Sequence, residues 1–276
     1  MSSVLTVSNL VVDYPVAAGT FRAVDDVSFS VGQGRTLALV GESGCGKSTV
    51  ARALVRLVRP TSGSIVLGGD DGGTDIAQLP EKRLRPLRSR IQMVFQDPYG
   101  SLDPHLSAQQ IVAEPLRLRG LSSAAERNAE AARLIDLVGL PSTALRRGPA
   151  EFSGGQRQRI GIARALASRP ELLVCDEATS ALDVSVQAQV LRLLVDLQEQ
   201  TGVSYLFISH NLGVVREISQ DVIVMKAGRV VEAGPTRQVL SHPAEPYTQA
   251  LRAAALDPAA IRGRKPRSVL QAQKVA

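Results

Sequence analysis

Apolar residues along this chain recur in two rhythms, and the alternation between them lays out its elements. Residues 4–7 and 10–14 are rich in β-formers, and residues 27–31 alternate apolar and polar after a turn at 17–19. They predict an antiparallel strand layer at the start. Residues 36–40 are an almost unbroken apolar run, read as a buried strand, and residues 48–55 carry the period of a helix. A short strand at 65–67 sits between loops at 61–64 and 68–73 that are rich in glycine, and another strand at 91–95 ends at Gln96, Asp97 and Pro98. From about 106 to 140 the period is helical. A helix at 156–167 follows two glycines and a serine cap. A strand at 171–177, a tight turn at 180–183, a helix at 185–200 and a strand at 205–209 complete the alternation.

The turn between the strand at 36–40 and the helix after it holds Gly41, Ser43, Gly44, Cys45, Gly46, Lys47, Ser48 and Thr49, which fit the phosphate-loop pattern G-x-x-x-x-G-K-[ST]. Glycines at 41, 44 and 46 free the backbone, so that successive N–H groups can converge on phosphate oxygens at a helix start. Lys47 is placed to reach the β- and γ-phosphates, and the Ser48 hydroxyl to ligate Mg²⁺.

Three further strands end in polar groups, which points to one shared site. Asp176 can hold Mg²⁺ through its hydration shell, and Glu177 can orient or deprotonate a water aimed at the γ-phosphate. Gln96 is sited to touch the metal or the water; taken alone it reads as a solvated loop residue. His210, taken alone, reads as structural. Tyr14 ends a strand and admits two readings, adenine stacking and ordinary packing. Ser153, Gly154, Gly155 and Gln156 open a helix and form a second anion-binding start.

Length, charge and cysteines narrow the class. At 276 residues the chain can bury a sizeable core as one α/β domain with subdomains. No window approaches the roughly 18 consecutive apolar residues of a membrane span, and the first residues lack a secretion signal, so a cytosolic chain is expected. Cys45 falls in the phosphate loop and Cys175 in an apolar strand, positions suited to reduced thiols. A net charge of +6 fits ATP, anionic lipid or nucleic acid alike.

The Ser153 to Gln156 signature, just upstream of the Asp176–Glu177 strand, makes nearly the whole chain resemble the ATP-binding subunits of ABC transporters. The resemblance implies a P-loop NTPase (RecA-like) core with an antiparallel β subdomain and an inserted helical subdomain. Residues 1–240 would form the ATPase domain, with about 97–155 as the helical insertion, and 241–276 a C-terminal extension with a basic tail. It implies that Tyr14 stacks on adenine, Gln96 is the Q-loop glutamine, Glu177 the catalytic base, Asp183 the D-loop carboxylate and His210 the switch histidine. ATP and Mg²⁺ would be bound, with Ser48, Gln96 and Asp176 around the metal. Phe152 in place of the commoner leucine and Ala178 in place of proline are mild departures.

The segments 151–160, 96–104 and 242–251 look like the oligopeptide, dipeptide and nickel importer branch. That likeness implies a second ATPase subunit in a head-to-tail dimer, whose signature completes the opposite phosphate site. It also implies two permease subunits, an extracytoplasmic substrate-binding protein, and a place on the cytoplasmic face of the membrane. Some relatives carry a cysteine-ligated iron–sulfur cluster in the extension; no cysteine follows Cys175, so none is expected. An exporter ATPase shares the chemistry but not these segments. A soluble ABC ATPase acting on nucleic acid or ribosomes tends to carry paired domains, coiled-coil insertions or metal-binding cysteines. The basic tail, Arg262 to Arg267, has no aromatic residues between its charges and is expected to be a poorly ordered end rather than a nucleic-acid site.

Overall fold

Apolar runs of five residues are too short to bury a helix but suit strands covered on both faces. Thr36–Val40, Leu172–Asp176 and Ser204–Ile208 are buried at every position. The computed structural model describes residues 2–17, 19–68 and 72–256. The first part of the chain runs through β1 (Ser3–Val16), β2 (Gly19–Gly32), β3 (Thr36–Val40), α1 (Lys47–Leu54), β4 (Ser62–Leu67), β5 (Thr74–Asp75), α2 (Glu81–Leu84) and β6 (Ile91–Val94). Four helices follow, α3 (Pro98–Ser101), α4 (Ala108–Ala113), α5 (Ala124–Leu137) and α6 (Gly154–Ala167). The last part holds β7 (Leu172–Asp176), α7 (Val184–Thr201), β8 (Ser204–Ile208), α8 (Leu212–Ile218), β9 (Asp221–Lys226), β10 (Arg229–Pro235), α9 (Thr236–Ser241) and α10 (Pro246–Leu256).

Two sheets result. One has the order β10-β9-β3-β8-β7-β6, parallel throughout except for the antiparallel β9–β10 edge. The other is antiparallel, with the order β2-β1-β4-β5. The two-residue period of a strand sends alternate side chains to opposite faces. Leu172, Val174, Leu206 and Ile208 meet α1 and the antiparallel sheet, while Leu173, Cys175, Tyr205 and Phe207 meet the helices on the other side. There α4, α5 and α6 pack together around Ile111, Leu134, Ile135 and Ile160. Phe152 fills this helical core with the Arg147 guanidinium 4.5 Å from its ring centroid.

The structure departs from the polarity pattern where local breaks are absorbed rather than obeyed. The pattern separates residues 4–7 from 10–14, yet β1 runs through. Its register shifts between Val7 and Leu10, and Asn9 takes φ 50° with its amide donating to Asp26, so the break is a β-bulge. The helical stretch at 106–140 divides at Pro115, which cannot donate to the helix before it. Near the C-terminal end of the described residues, Tyr247 and Leu251 of α10 pack against the cluster that holds Val40, Val224 and Leu240. The basic tail from Arg262 to Arg267 lies outside the described residues.

Candidate functional site

Because β3, β6, β7 and β8 are parallel, the segments leaving their carboxyl ends emerge along one edge of the sheet. The phosphate loop follows β3, Gln96 follows β6, Asp176 and Glu177 end β7, and His210 follows β8. Four sequence-distant segments are brought to one place by topology.

The loop after β3 depends on glycine. Gly41, Gly44 and Gly46 take φ values of 150°, 83° and 105°. A Cβ on Gly41 would lie 2.2 Å from the Met225 carbonyl oxygen, and one on Gly46 2.5 Å from that of Ala23. Ser43 and Gly44 at the tip are exposed, Cys45 is buried, and Ser48 and Thr49 are half-buried in the first turn of α1. Lys47 is buried, its Nζ donating to the carbonyls of Gly41 and Glu42 at 2.8 Å each, with the Cys45 Sγ at 3.7 Å. These contacts hold the ammonium against the start of the loop.

Across the loop, Ser48 Oγ donates to Asp176 Oδ1 at 3.0 Å. Burial raises the Asp176 pKa above the ordinary carboxylate value; the Ser48 hydrogen bond opposes this and the neighbouring Glu177 charge adds to it. Glu177 sits in the left-handed region, at φ 47°, with its N–H donating to the Ile208 carbonyl. Gln96 Nε2 donates to Glu177 Oε2 at 3.0 Å, and His210 Nδ1 lies 3.3 Å from Oε1. A hydrogen bond from His210 to an ionised carboxylate, which only accepts, requires the imidazole proton on Nδ1.

The remaining candidates are held elsewhere. Ser153 and Gln156 form a reciprocal capping box at the start of α6: Gln156 N–H donates to Ser153 Oγ at 3.3 Å, and Ser153 N–H to Gln156 Oε1 at 3.0 Å. Gly154 faces Leu182, just before α7, and Gly155 faces Val186 in its first turn. Among the described residues no hydrogen bond joins residues 153–156 to residues 41–49. Asp183 caps α7, accepting from Val186 N–H at 2.9 Å and Ser185 Oγ at 2.7 Å; these bonds hold its pKa low. Tyr14 lies beside the far end of the β1–β2 hairpin, paired with exposed Phe21 and half-buried against the core between the sheets.

One contact had no signal in the sequence. Glu42 N–H, in the phosphate loop, donates to the Tyr247 hydroxyl of α10 at 3.1 Å, across 205 residues. Tyr247 stands in the segment that resembles the peptide branch, but nothing in its spacing ties it to the loop.

The donor set around Ser48 suits a hard divalent cation. The Ser48 hydroxyl and the Asp176 carboxylate are oxygen ligands, and Mg²⁺ bound with phosphates needs no dense cluster of acidic residues.

A family profile described as "ABC transporter" matches residues 24–180. A probable peptide ABC transporter ATP-binding protein of Sinorhizobium fredii is 52% identical over 269 residues, covering 95% of this chain and 75% of that protein. An oligopeptide transport ATP-binding protein of Bacillus subtilis is 49% identical over 246 residues, 86% of this chain and 74% of the other. Among solved structures, a dimeric ATP-binding cassette in a post-hydrolysis state, bound to ADP and Pi, superposes with a TM-score of 0.76 at 30% identity, covering 84% of this chain and 99% of its own.

Proposed function

The chain belongs to the ABC transporter family of ATP-binding subunits, and on that premise we propose that it powers an importer of di- or oligopeptides, or of a related solute such as nickel. The peptide reading is supported by the names of relatives that are about half identical over most of the chain. The observation that carries the hydrolytic reading is the Glu177 carboxylate, hydrogen-bonded by both Gln96 and His210 beside the Ser48–Asp176 pair.

In this reading the backbone N–H groups of Gly44 to Thr49 and the Lys47 ammonium bind the phosphates, and Tyr14 stacks on the adenine. Ser48, Asp176 and Gln96 would hold Mg²⁺, which when bound spreads and neutralises charge on the phosphates. Gln96 and His210 fix the two oxygens of Glu177, so its carboxylate is oriented before substrate arrives. Glu177 takes the proton from the water that attacks the γ-phosphorus, and ADP departs as the bond to its β-phosphate oxygen breaks. Orientation and charge supply the catalysis.

Ser153, Gly154, Gly155 and Gln156 take no part in their own subunit's phosphate site. They complete that of a second subunit in a head-to-tail dimer, and Asp183 lies at the same interface. A dimeric solved relative supports such an assembly. Separate permease subunits, a binding protein outside the membrane and a peripheral place on its cytoplasmic face complete the proposal; among the described residues no helix is long and apolar enough to cross a membrane.

The test is uptake. Cells lacking this chain should lose import of a radiolabelled tripeptide, regain it with the wild-type chain, and not with Lys47→Ala. Peptide uptake that is unchanged in its absence would overturn the substrate class, and a competing nickel-uptake assay decides the alternative.

A further inference from the structure

The segment at 242–251 looks like a subfamily marker, yet its tyrosine touches the nucleotide site. Glu42 is the second residue of the phosphate loop. Its carbonyl accepts from Lys47 Nζ at 2.8 Å and from Cys45 N–H at 3.3 Å, while its own N–H donates outward to the Tyr247 hydroxyl at 3.1 Å. The peptide unit between Gly41 and Glu42 carries both contacts, its Gly41 carbonyl accepting from Lys47 Nζ at 2.8 Å and its Glu42 N–H donating to Tyr247, and so links α10 to the phosphate-binding lysine.

Tyr247 is itself held. Its ring packs with Leu251 against the core formed by Ala38, Val40 and Val224, and Lys226 Nζ lies 5.0 Å from the ring centroid. Burial raises its pKa, so the hydroxyl stays protonated and neutral near pH 7. The helix it belongs to is pinned as well. The Glu232 carboxylate accepts from the N–H groups of Ala244 and Glu245 at 2.9 and 3.3 Å, and Arg252 Nη1 donates to the Ser241 carbonyl at 2.7 Å. The loop, by contrast, turns on glycines at positive φ, and its Cys45 carbonyl accepts from the Gly228 N–H at 3.0 Å.

We infer that Tyr247 is a positioning residue for the phosphate loop, through which the C-terminal helix α10 sets the affinity of this subunit for nucleotide. Glu42 N–H does not need to reach a phosphate, because the tyrosine already satisfies it. Its bond ties the free arm of the loop to a rigid helix, and so reduces the order that the loop must gain when phosphate binds. The inference rests on the reading of residues 41–49 as the nucleotide site.

The experiment compares the purified full chain with Tyr247→Phe, Tyr247→Ala and Lys47→Ala, titrating each with ATP and Mg²⁺. It also follows amide hydrogen exchange of the loop without nucleotide. Tyr247→Phe keeps the ring and removes only the acceptor. The expected result is a Kd raised by roughly 2- to 10-fold, the worth of one hydrogen bond, with faster exchange in the loop, unchanged protection of α10 and an unchanged thermal midpoint. In ATPase assays with its partner subunits, KM for ATP should rise by a similar factor while kcat holds. A Tyr247→Phe chain with wild-type Kd and wild-type loop exchange overturns the inference. So does a midpoint that falls as far as that of Tyr247→Ala, since the hydroxyl would then serve only the fold. If the wild-type chain fails to bind ATP, or Lys47→Ala binds it equally well, the nucleotide-site reading itself fails.

Discussion

Gln96 and Glu177 stand 81 residues apart in sequence and share a hydrogen bond of 3.0 Å, amide to carboxylate. With His210 on the other oxygen, the carboxylate is held at both ends. Glu177→Gln keeps the shape and loses the base. Turnover should fall by roughly 10²–10⁴-fold, the usual worth of a general base, while the affinity for ATP is retained. Wild-type turnover in a steady-state phosphate-release assay would remove Glu177 from that role.

Lys47 is held by two carbonyls inside the loop. Lys47→Ala removes the one cation there, so ATP affinity should drop by about 10- to 100-fold, as expected for hydrogen bonds to charged groups. Titration with ATP and Mg²⁺ reads this directly, and an unchanged Kd contradicts the assignment.

Asp176 gives a pH dependence whose sign can be worked out. Its pKa in the folded chain is raised above the ordinary 3.8, so between those two values the native state holds more proton than the unfolded chain. Stability from this group is therefore lost as pH rises through that window. At neutral pH the charged, buried carboxylate opposes folding. Asp176→Asn should raise the thermal midpoint of the nucleotide-free chain at pH 7, and the gain should shrink towards zero below pH 3.8. The same variant should lose the added stabilisation that Mg²⁺ gives to the ATP complex. A variant no more stable than wild type at pH 7 contradicts the electrostatic account.

Gly155 leaves no room for a side chain: a Cβ there would come 2.2 Å from Val186 Cγ1, on a stiff β-branched residue. Gly155→Ala and Gly155→Asp should both destabilise the subunit, by about 1–3 kcal/mol from overpacking. The carboxylate adds repulsion of a partner-held phosphate. In a Glu177→Gln background with the cognate partner subunit, the aspartate variant should fail to form an ATP-dependent dimer by size-exclusion chromatography, and the alanine variant should form one more readily. Equal dimerisation by the two would detach residues 153–156 from the phosphate.

Asp183 both caps α7 and is placed at the proposed interface. Asparagine also caps a helix but carries no charge, so at pH 7 Asp183→Asn should lower the thermal midpoint less than Asp183→Ala does. The Asp183 pKa is depressed by the Val186 N–H bond, so its charge-dependent stabilisation is present above the ordinary 3.8 and lost as pH falls below it. Acid titration of the wild type against Asp183→Asn measures the loss.

The sequence by itself determined those features whose physics is local. Gly41 to Thr49 are legible because a phosphate loop needs glycine torsions, a lysine and a hydroxyl within nine consecutive residues. Ser153 is legible because a cap acts on the backbone three residues ahead. The fully buried strands announced themselves by unbroken apolar runs. The tertiary structure decided what depends on chain-distant partners. Parallel pairing of β6, β7, β8 and β3 brings Gln96, Glu177 and His210 together, and no spacing along the chain encodes the 3.0 Å between an amide and a carboxylate. The Asn9 bulge, the Gly155–Val186 approach and the Tyr247–Glu42 hydrogen bond are of the same kind. Each is fixed by packing between elements, where the side chain that matters is chosen by which surface the fold lays against it.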